Sequence, residues 1–418
     1  MRYHVSIYFY SFNEDCGVRQ PLQGTPFTPT HCDPMDSPFT PTRAAALARL
    51  TAFTPRAGKA YADTRNFDFG PARRGNVSGL SPYLRHRMVS EGEVARAVLA
   101  RHSAAACEKF IDELCWRSYW KGWLEMRPSV WTRTTADVER LRADAGEDYA
   151  LAMAGRTGID CFDAWAQELT ATGTLHNHAR MWFASIWIFT LRLPWQLGAD
   201  FFLQHLLDGD AASNTLSWRW VAGLHTPGKT YLARPDNITR YTEGRFEPVG
   251  LAQDAVPVDG WANPEAQPLP PEAALPAGRL GLLVTSDDLA PDVDWIAVDR
   301  FAAMAVLDDV SAMSPMVAQF RNAAVTDCAD RLGIAATLPD IKAIQNWAAN
   351  EQLDAIVTPY VPVGPTRDAL SVLTVPLIMP RRAWDRAAWP HARGGFFGLK
   401  KKIPAVLATI HAKELALV

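Results

Sequence analysis

No stretch of this sequence approaches the run of about eighteen uncharged apolar residues that a membrane-spanning helix needs. The N-terminus lacks a basic region leading into an apolar, signal-type stretch, so a cytoplasmic location away from any membrane is the expectation. The six cysteines, Cys16, Cys32, Cys107, Cys115, Cys161 and Cys328, include no Cys-x-x-Cys pair and no His/Cys group at metal-ligand spacing. Free thiols and no metal follow. Strong charge of one sign is missing too: 42 Lys and Arg against 45 Asp and Glu leave a net charge of −3. Whole-molecule electrostatics therefore do not mark a nucleic-acid binder, and any DNA site must be a local basic face.

The chain is long and apolar enough for more than one core, with 418 residues of which 48% are hydrophobic, so two domains are expected. Fifteen tryptophans are many for this length. Most should be packing residues, leaving a minority to carry electrons or stack on a planar ligand. Residues 1–41 show little periodicity, and Pro26-Phe27-Thr28-Pro29-Thr30 recurs as Pro38-Phe39-Thr40-Pro41-Thr42, which reads as a flexible lead-in in which Met35 is an alternative start. From Thr42, a capping residue, the spacing of apolar residues predicts helices over Ala44–Phe53, Glu91–Arg101, Cys107–Trp123, Thr134–Ala154, Cys161–Thr170, Asn177–Thr190 and Ala199–Leu207. Residues 42–246 therefore read as an all-α domain.

Prolines at Leu269-Pro270-Pro271 and Leu275-Pro276 mark residues 247–279 as a linker. Residues 280–418 then alternate. Leu280–Thr285, Trp295–Val298, Ala303–Leu307, Asp354–Thr358 and Val375–Met379 read as buried strands, and Pro315–Leu332, Ile341–Asn350 and Pro404–Leu417 as helices. The expected fold class is multidomain α and α/β, with a smaller, Rossmann-like parallel-sheet domain second. That domain has no Gly-x-Gly-x-x-Gly turn and no P-loop, so nucleotide chemistry cannot be argued for it from a motif.

Three segments stand out. Asn76-Val77-Ser78-Gly79-Leu80-Ser81-Pro82-Tyr83-Leu84 is, on its own, an ordinary helix cap. Glu113-Leu114-Cys115-Trp116-Arg117 holds an i,i+4 charge pair that suits any helix surface, with Trp116 on nearly the same face as Glu113. The most specific is Thr172-Gly173-Thr174-Leu175-His176-Asn177-His178-Ala179-Arg180-Met181, followed by Leu206-Leu207-Asp208-Gly209-Asp210-Ala211-Ala212-Ser213-Asn214 and Trp218-Arg219-Trp220.

In order, spacing and residue types these segments resemble the FAD-binding helical domain of the DNA photolyase and cryptochrome family, over about Thr42 to Phe246. The resemblance implies FAD as cofactor. Tyr61, Val77, Ser78, Leu80 and Ser81 then line the cofactor with Arg117, small and hydroxylated residues letting amides approach a pyrophosphate at a helix N-terminus. Val77 replaces the family's usual Thr. Arg180 held by Asp208 answers the negative charge of a reduced flavin, Asp210 is a further cofactor carboxylate, and the neutral amide of Asn214 faces flavin N5.

Glu113, Trp116, Asn177, Met181 and Trp220 match the dimer-binding set of cyclobutane-type photolyases, the six-four enzymes having a His where this chain has Asn177. The implied activity is light-dependent repair, in which the excited, fully reduced flavin gives one electron to a flipped-out pyrimidine dimer in damaged DNA, the ring splits and the electron returns. Glu113 and Asn177 stabilise the dimer radical anion by hydrogen bonds, and Trp116 and Trp220 wall the lesion. A cryptochrome-like photoreceptor without repair is the alternative. The family's electron relay is matched by Trp218 and Trp195, while its outer position falls near Arg142, where no Trp stands. Arg73, Arg74, Arg85, Arg87, Arg117, Arg219 and Lys229 are candidates for DNA phosphates, and His178 stands where the family has a DNA-contacting Arg. Photolyases place an α/β antenna domain first. Here Asp354-Ala355-Ile356-Val357-Thr358-Pro359-Tyr360 and Gly394-Gly395-Phe396-Phe397-Gly398-Leu399-Lys400 resemble parts of it, which implies an antenna-like domain in inverted order and a possible second chromophore of unknown identity.

Overall fold

The computed structural model describes residues 39–272, 274–293, 297–308 and 313–409. Its helical half contains α1 (Arg43–Phe53), α2 (Lys59–Thr64), α3 (Ser81–Arg85), α4 (Glu91–Leu99), α5 (Glu108–Glu125), α6 (Ser129–Ala143), α7 (Glu147–Met153), α8 (Asp160–Thr172), α9 (Asn177–Ser185), α10 (Trp195–His205), α11 (Ala211–Val221) and α12 (Pro235–Tyr241). Local chemistry explains the starts. Thr42 accepts from Ala45 N at α1, and Ser90 and Glu93 form a reciprocal capping box at α4. Asp210 accepts from Ser213 N at α11.

Three expectations need correcting here. The single helix expected over Thr134–Ala154 is two, α6 and α7, because the chain turns extended at Gly146, the residue that costs a helix most after proline. The helix expected from Ala199 starts earlier, at Trp195 just after Pro194, and α11 was not anticipated at all. Beyond α9 the helix widens into a π-type turn over Ile186–Thr190, a local feature often found at functional sites.

The second half is built on a parallel sheet of five strands in the order β3-β2-β1-β4-β5: β1 (Leu280–Val284), β2 (Ala303–Leu307), β3 (Ala336–Leu338), β4 (Ala355–Val357) and β5 (Leu377–Ile378). Central β1 is buried along its whole length, pairing Gly281 with Ala303 on one side and with Ile356 on the other. The helices are α13 (Pro315–Leu332), α14 (Ile341–Asn350), α15 (Pro365–Leu370), α16 (Ala383–Ala388), α17 (Phe396–Lys400) and α18 (Ile403–Ala408). The strand expected over Trp295–Val298 is absent from its described part, where Val298–Arg300 is a 3-10 turn; residues 294–296 lie outside the described residues. So do Pro26–Thr30 of the repeat, Cys16, Cys32 and the end of the helix expected over Pro404–Leu417. Cys107, Cys115, Cys161 and Cys328 are free and buried. No helix among the described residues is long and apolar enough to cross a membrane.

The described residues cluster as one compact unit. The Pro-rich stretch after Phe246 runs along the helical half, where Val258 N donates to Ala222 O and Gln267 N to Met126 O, and Trp261 lies 3.8 Å under the Arg219 guanidinium. The seam between the halves is ionic and buried. Arg85 donates to Asp287 at 2.8 Å and Arg87 Nη2 to Asp385 at 2.6 Å, and Arg87 also lies 3.6 Å from Asp288, which Arg382 of the same half grips with two bonds at 2.7 and 2.8 Å.

Candidate functional site

Helix α5 is the spine of the site. It is covered on nearly every side, and residues one turn apart reach the same region: Glu113, Trp116, Arg117 and, one turn further, Lys121. Glu113 receives Arg65 Nη1 at 2.8 Å, yet burial pushes its carboxyl up. Tyr61 stands beside it, its ring edge-on to Phe53 and Phe110 at 5.9 and 5.3 Å. Burial and the Glu113 charge both raise the Tyr61 hydroxyl, so it stays a neutral donor.

On the opposite wall α9 supplies Arg180, whose Nη2 reaches both oxygens of Asp208 at 3.0 Å while its Nε donates to Leu175 O. Burial alone would raise the Asp208 carboxyl; Arg180, Arg117 and the Ser81 hydroxyl together hold it below the usual carboxylate range. The loop before α3 is thereby tied to the same pair. Ser78 Oγ accepts from Leu80 N, and Asn76 clamps the loop by donating to Thr64 O and Phe67 O. Val77 is half-buried there. Asp210, the α11 cap, lies 3.7 Å from Lys121 Nζ and 3.9 Å from Arg85, and those cations hold it far below the carboxylate range despite its burial.

Among the buried donor atoms without a hydrogen-bond partner are Arg117 Nη1 and Lys121 Nζ, the latter with Asp210 3.7 Å away. Burial also pulls the Lys121 ammonium down. Buried charged donors without a hydrogen bond are costly, so a further acceptor is what these two lack. Those residues fit an anionic cofactor such as FAD. Lys121 and the seam residues were missed in the sequence; the only signal was the i,i+4 step from Arg117.

Asn214 Nδ2 donates to Ala199 O at 2.7 Å and lines a cleft of about 460 Å³ between α6, α10 and α11, with Leu203, Gln204 and Met313 among its walls. Trp218 is buried in the aromatic core, possible because Gly198 has no Cβ: one built there would fall 2.3 Å from the Trp218 ring. Its edge-on neighbour is Trp187 at 6.0 Å, which in turn meets Tyr149 at 5.9 Å; Trp195 instead lies under Arg219 at 5.7 Å. Arg142, at the vacant outer position, pairs with Asp200.

The other expected residues are more dispersed. Asn177 is exposed at the first turn of α9, Met181 is buried one turn on, and Trp220 packs against Tyr231 at 5.6 Å. Trp116 is buried under Phe396 of α17, ring on ring at 3.8 Å and 9°. The expected phosphate-binding face needs correction, because Arg85, Arg87 and Arg219 are interior residues held by Asp287, by Asp385 with Glu91, and by Asn263 with Trp261. Arg73 and Arg74 are engaged with Glu243 and with Asp68 and Glu168, and Lys229 is exposed. His178 is also interior, its Nδ1 on Asn66 O and burial pulling it down to about 3, so it carries no charge for DNA.

In a doubly wound sheet the ligand crevice lies past the strand ends where the order reverses, here between β1 and β4. The chain fills that place itself: Arg85 meets Asp287, His86 Nδ1 contacts Ser286 O at 2.6 Å, and Leu289 N donates to His86 O.

Residues 110–250 match the family described as the FAD binding domain of DNA photolyase. The deoxyribodipyrimidine photo-lyase of Streptomyces griseus is 38% identical over 189 residues, covering 42% of this chain and 41% of that protein. The enzyme of the same name from Thermus thermophilus is 34% identical over 200 residues, 46% of this chain and 45% of that one. This chain thus spans less than half the length of these curated relatives. Among solved structures, a class III photolyase from Agrobacterium tumefaciens aligns with TM-score 0.42 and 29% identity over 50% of this chain and 44% of that one. A Synechocystis cryptochrome aligns with TM-score 0.43 and 25% identity over 54% and 49%. The Arg180–Asp208 pair, the Asp210 cap and the α5 residues Glu113, Trp116 and Arg117 all lie inside the matched segment, so residues 110–250 of this chain are similar to the FAD binding domain of DNA photolyase.

Proposed function

We propose that this chain is a light-driven flavoprotein that repairs cyclobutane pyrimidine dimers in DNA, holding FAD among α5, α9 and the start of α11. The observation that carries the reading is the Arg180–Asp208 pair with Arg117 Nη1 and Lys121 Nζ nearby on α5, two buried donor atoms that make no hydrogen bond. When bound and reduced, FAD supplies the light-excited electron. The chain's own part is to hold it and the lesion. Arg180, oriented by Asp208, and the Arg117 and Lys121 cations stabilise negative charge in a water-poor site, where each such contact is worth more than in water. Glu113, kept neutral more readily by burial, is placed to give a hydrogen bond to a base carbonyl, and Trp116 supplies an aromatic wall.

The test is to illuminate the reduced protein with dimer-containing DNA in blue light and count dimers. Dimers that persist while a control enzyme clears them overturn the reading. Glu113→Ala is expected to keep flavin and lose repair. A photoreceptor without repair is the second reading, favoured by one observation, the covering of Trp116 by Phe396. It predicts a long-lived light-induced change in flavin absorbance with no loss of dimers.

A further inference from the structure

The C-terminal segment lies along α5 in an ordered series of contacts. Lys400 Nζ binds Asp112 at 2.6 Å and Glu108 at 3.0 Å, Phe396 stacks on Trp116, Gly394 O accepts from the Tyr119 hydroxyl at 2.9 Å, and Arg393 O accepts from Arg127. The inner end is fixed differently. A Cβ on Gly122 would fall 2.8 Å from the Trp389 backbone, and Trp384 donates to the buried Ser118 hydroxyl, so the chain up to Trp389 is packed tightly on the helix. Between these lie Gly394 and Gly395, both exposed and with open space where a side chain would be.

The ring geometry is informative. Parallel stacking at 3.8 Å and 9° is the arrangement a flipped-out base adopts on an aromatic wall. Beyond the stack, the outer end of the segment is held by buried Leu399 and by the Lys400 ion pairs, which are partly exposed and individually weak.

We propose that Phe396 is an intramolecular stand-in for the flipped base, and that residues 394–400 form a strap, hinged at Gly394-Gly395, which lesion-containing DNA must displace to reach Trp116. This rests on the repair reading above. It joins the two readings, since with the strap down the chain holds its cofactor while keeping DNA out.

The experiment is dark binding of a duplex oligonucleotide carrying one thymine cyclobutane dimer, with the undamaged duplex beside it, to the full chain and to Phe396→Ala. The variant is expected to bind the dimer duplex about three- to tenfold more tightly, the worth of one aromatic stack, with its affinity for undamaged duplex unchanged. Lys400→Glu, which leaves the aromatic pair in place, is expected to shift binding the same way by less, and Trp116→Ala should abolish the gain from Phe396→Ala. Equal dimer preference in wild type and both variants overturns the strap and leaves the repair reading standing. No dimer preference in any of them overturns the repair reading and the strap with it.

Discussion

Asp208 is a buried carboxylate whose charge is set by its neighbours. Removing that charge leaves Arg180 without its orienting partner. Asp208→Asn is expected to weaken flavin retention about tenfold or more, measured as flavin absorbance per protein after gel filtration, because hydrogen bonds to charged groups carry about 1.5–3 kcal/mol. The histidines argue about pH. His178 and His176 are interior, and burial pulls them down to about 3 and about 4. A histidine depressed in the folded state takes up its proton more readily when unfolded. Its contribution is therefore complete above the unfolded value near 6.5 and is lost as pH falls towards the folded value. Stability should decline from pH 6.5 to pH 4. His178→Asn keeps a donor for Asn66 O and does not titrate, so it should flatten that decline by about 1.4 kcal/mol per pH unit at most, read from urea midpoints.

At the scale of elements, close approach of helices decides more than propensity. α10 meets α11 where Gly198 leaves room for the Trp218 ring, and α5 meets the turn Trp389–His391 at Gly122. Gly198→Ala improves the intrinsic helix preference of α10 by about 1 kcal/mol, yet places a methyl 2.3 Å from the Trp218 ring. Overpacking wins, since the ring is buried and has Phe202 at 5.1 Å and Trp187 at 6.0 Å around it. A net loss of about 1–3 kcal/mol is expected, with a changed near-ultraviolet circular dichroism spectrum. An unchanged melting temperature and spectrum would refute that packing.

For the whole molecule, the seam is the controlling feature. Arg87 faces Asp385, Glu91 and Asp288 with all four groups buried. Its carboxylates depend on it: burial would raise Asp288 and Glu91, and their arginine partners bring them down. Asp288 keeps Arg382, but Arg87→Ala leaves the buried Asp385 without its hydrogen-bonded cation, and a loss of about 3–5 kcal/mol is expected. Because the pairs join the two halves, wild type should melt in one calorimetric transition and the variant in two. A single transition in both would show that apolar contacts alone couple the halves.

Much was legible in the residues one by one. Apolar spacing marked α1, α4, α5, α8, α9, α13 and α14, and apolar runs marked β1, β2 and β4, because such patterns are set by the 3.6- and two-residue periods of the backbone. The Arg180–Asp208 pair was readable for the same reason, its chemistry requiring those residue types. What the sequence could not show was which charges meet. Arg85 and Arg87 look like solvated arginines until Asp287 and Asp385, some 200 and 298 residues away, close on them. Likewise nothing local says that Phe396 lies on Trp116, 280 positions earlier, since a stack between distant segments is decided only when both halves are packed on α5. The sequence by itself determined the resemblance of residues 110–250 to a photolyase FAD binding domain; the tertiary structure decided which arginines are interior and whether Trp116 is open, because burial and partnership are properties of packing rather than of order along the chain.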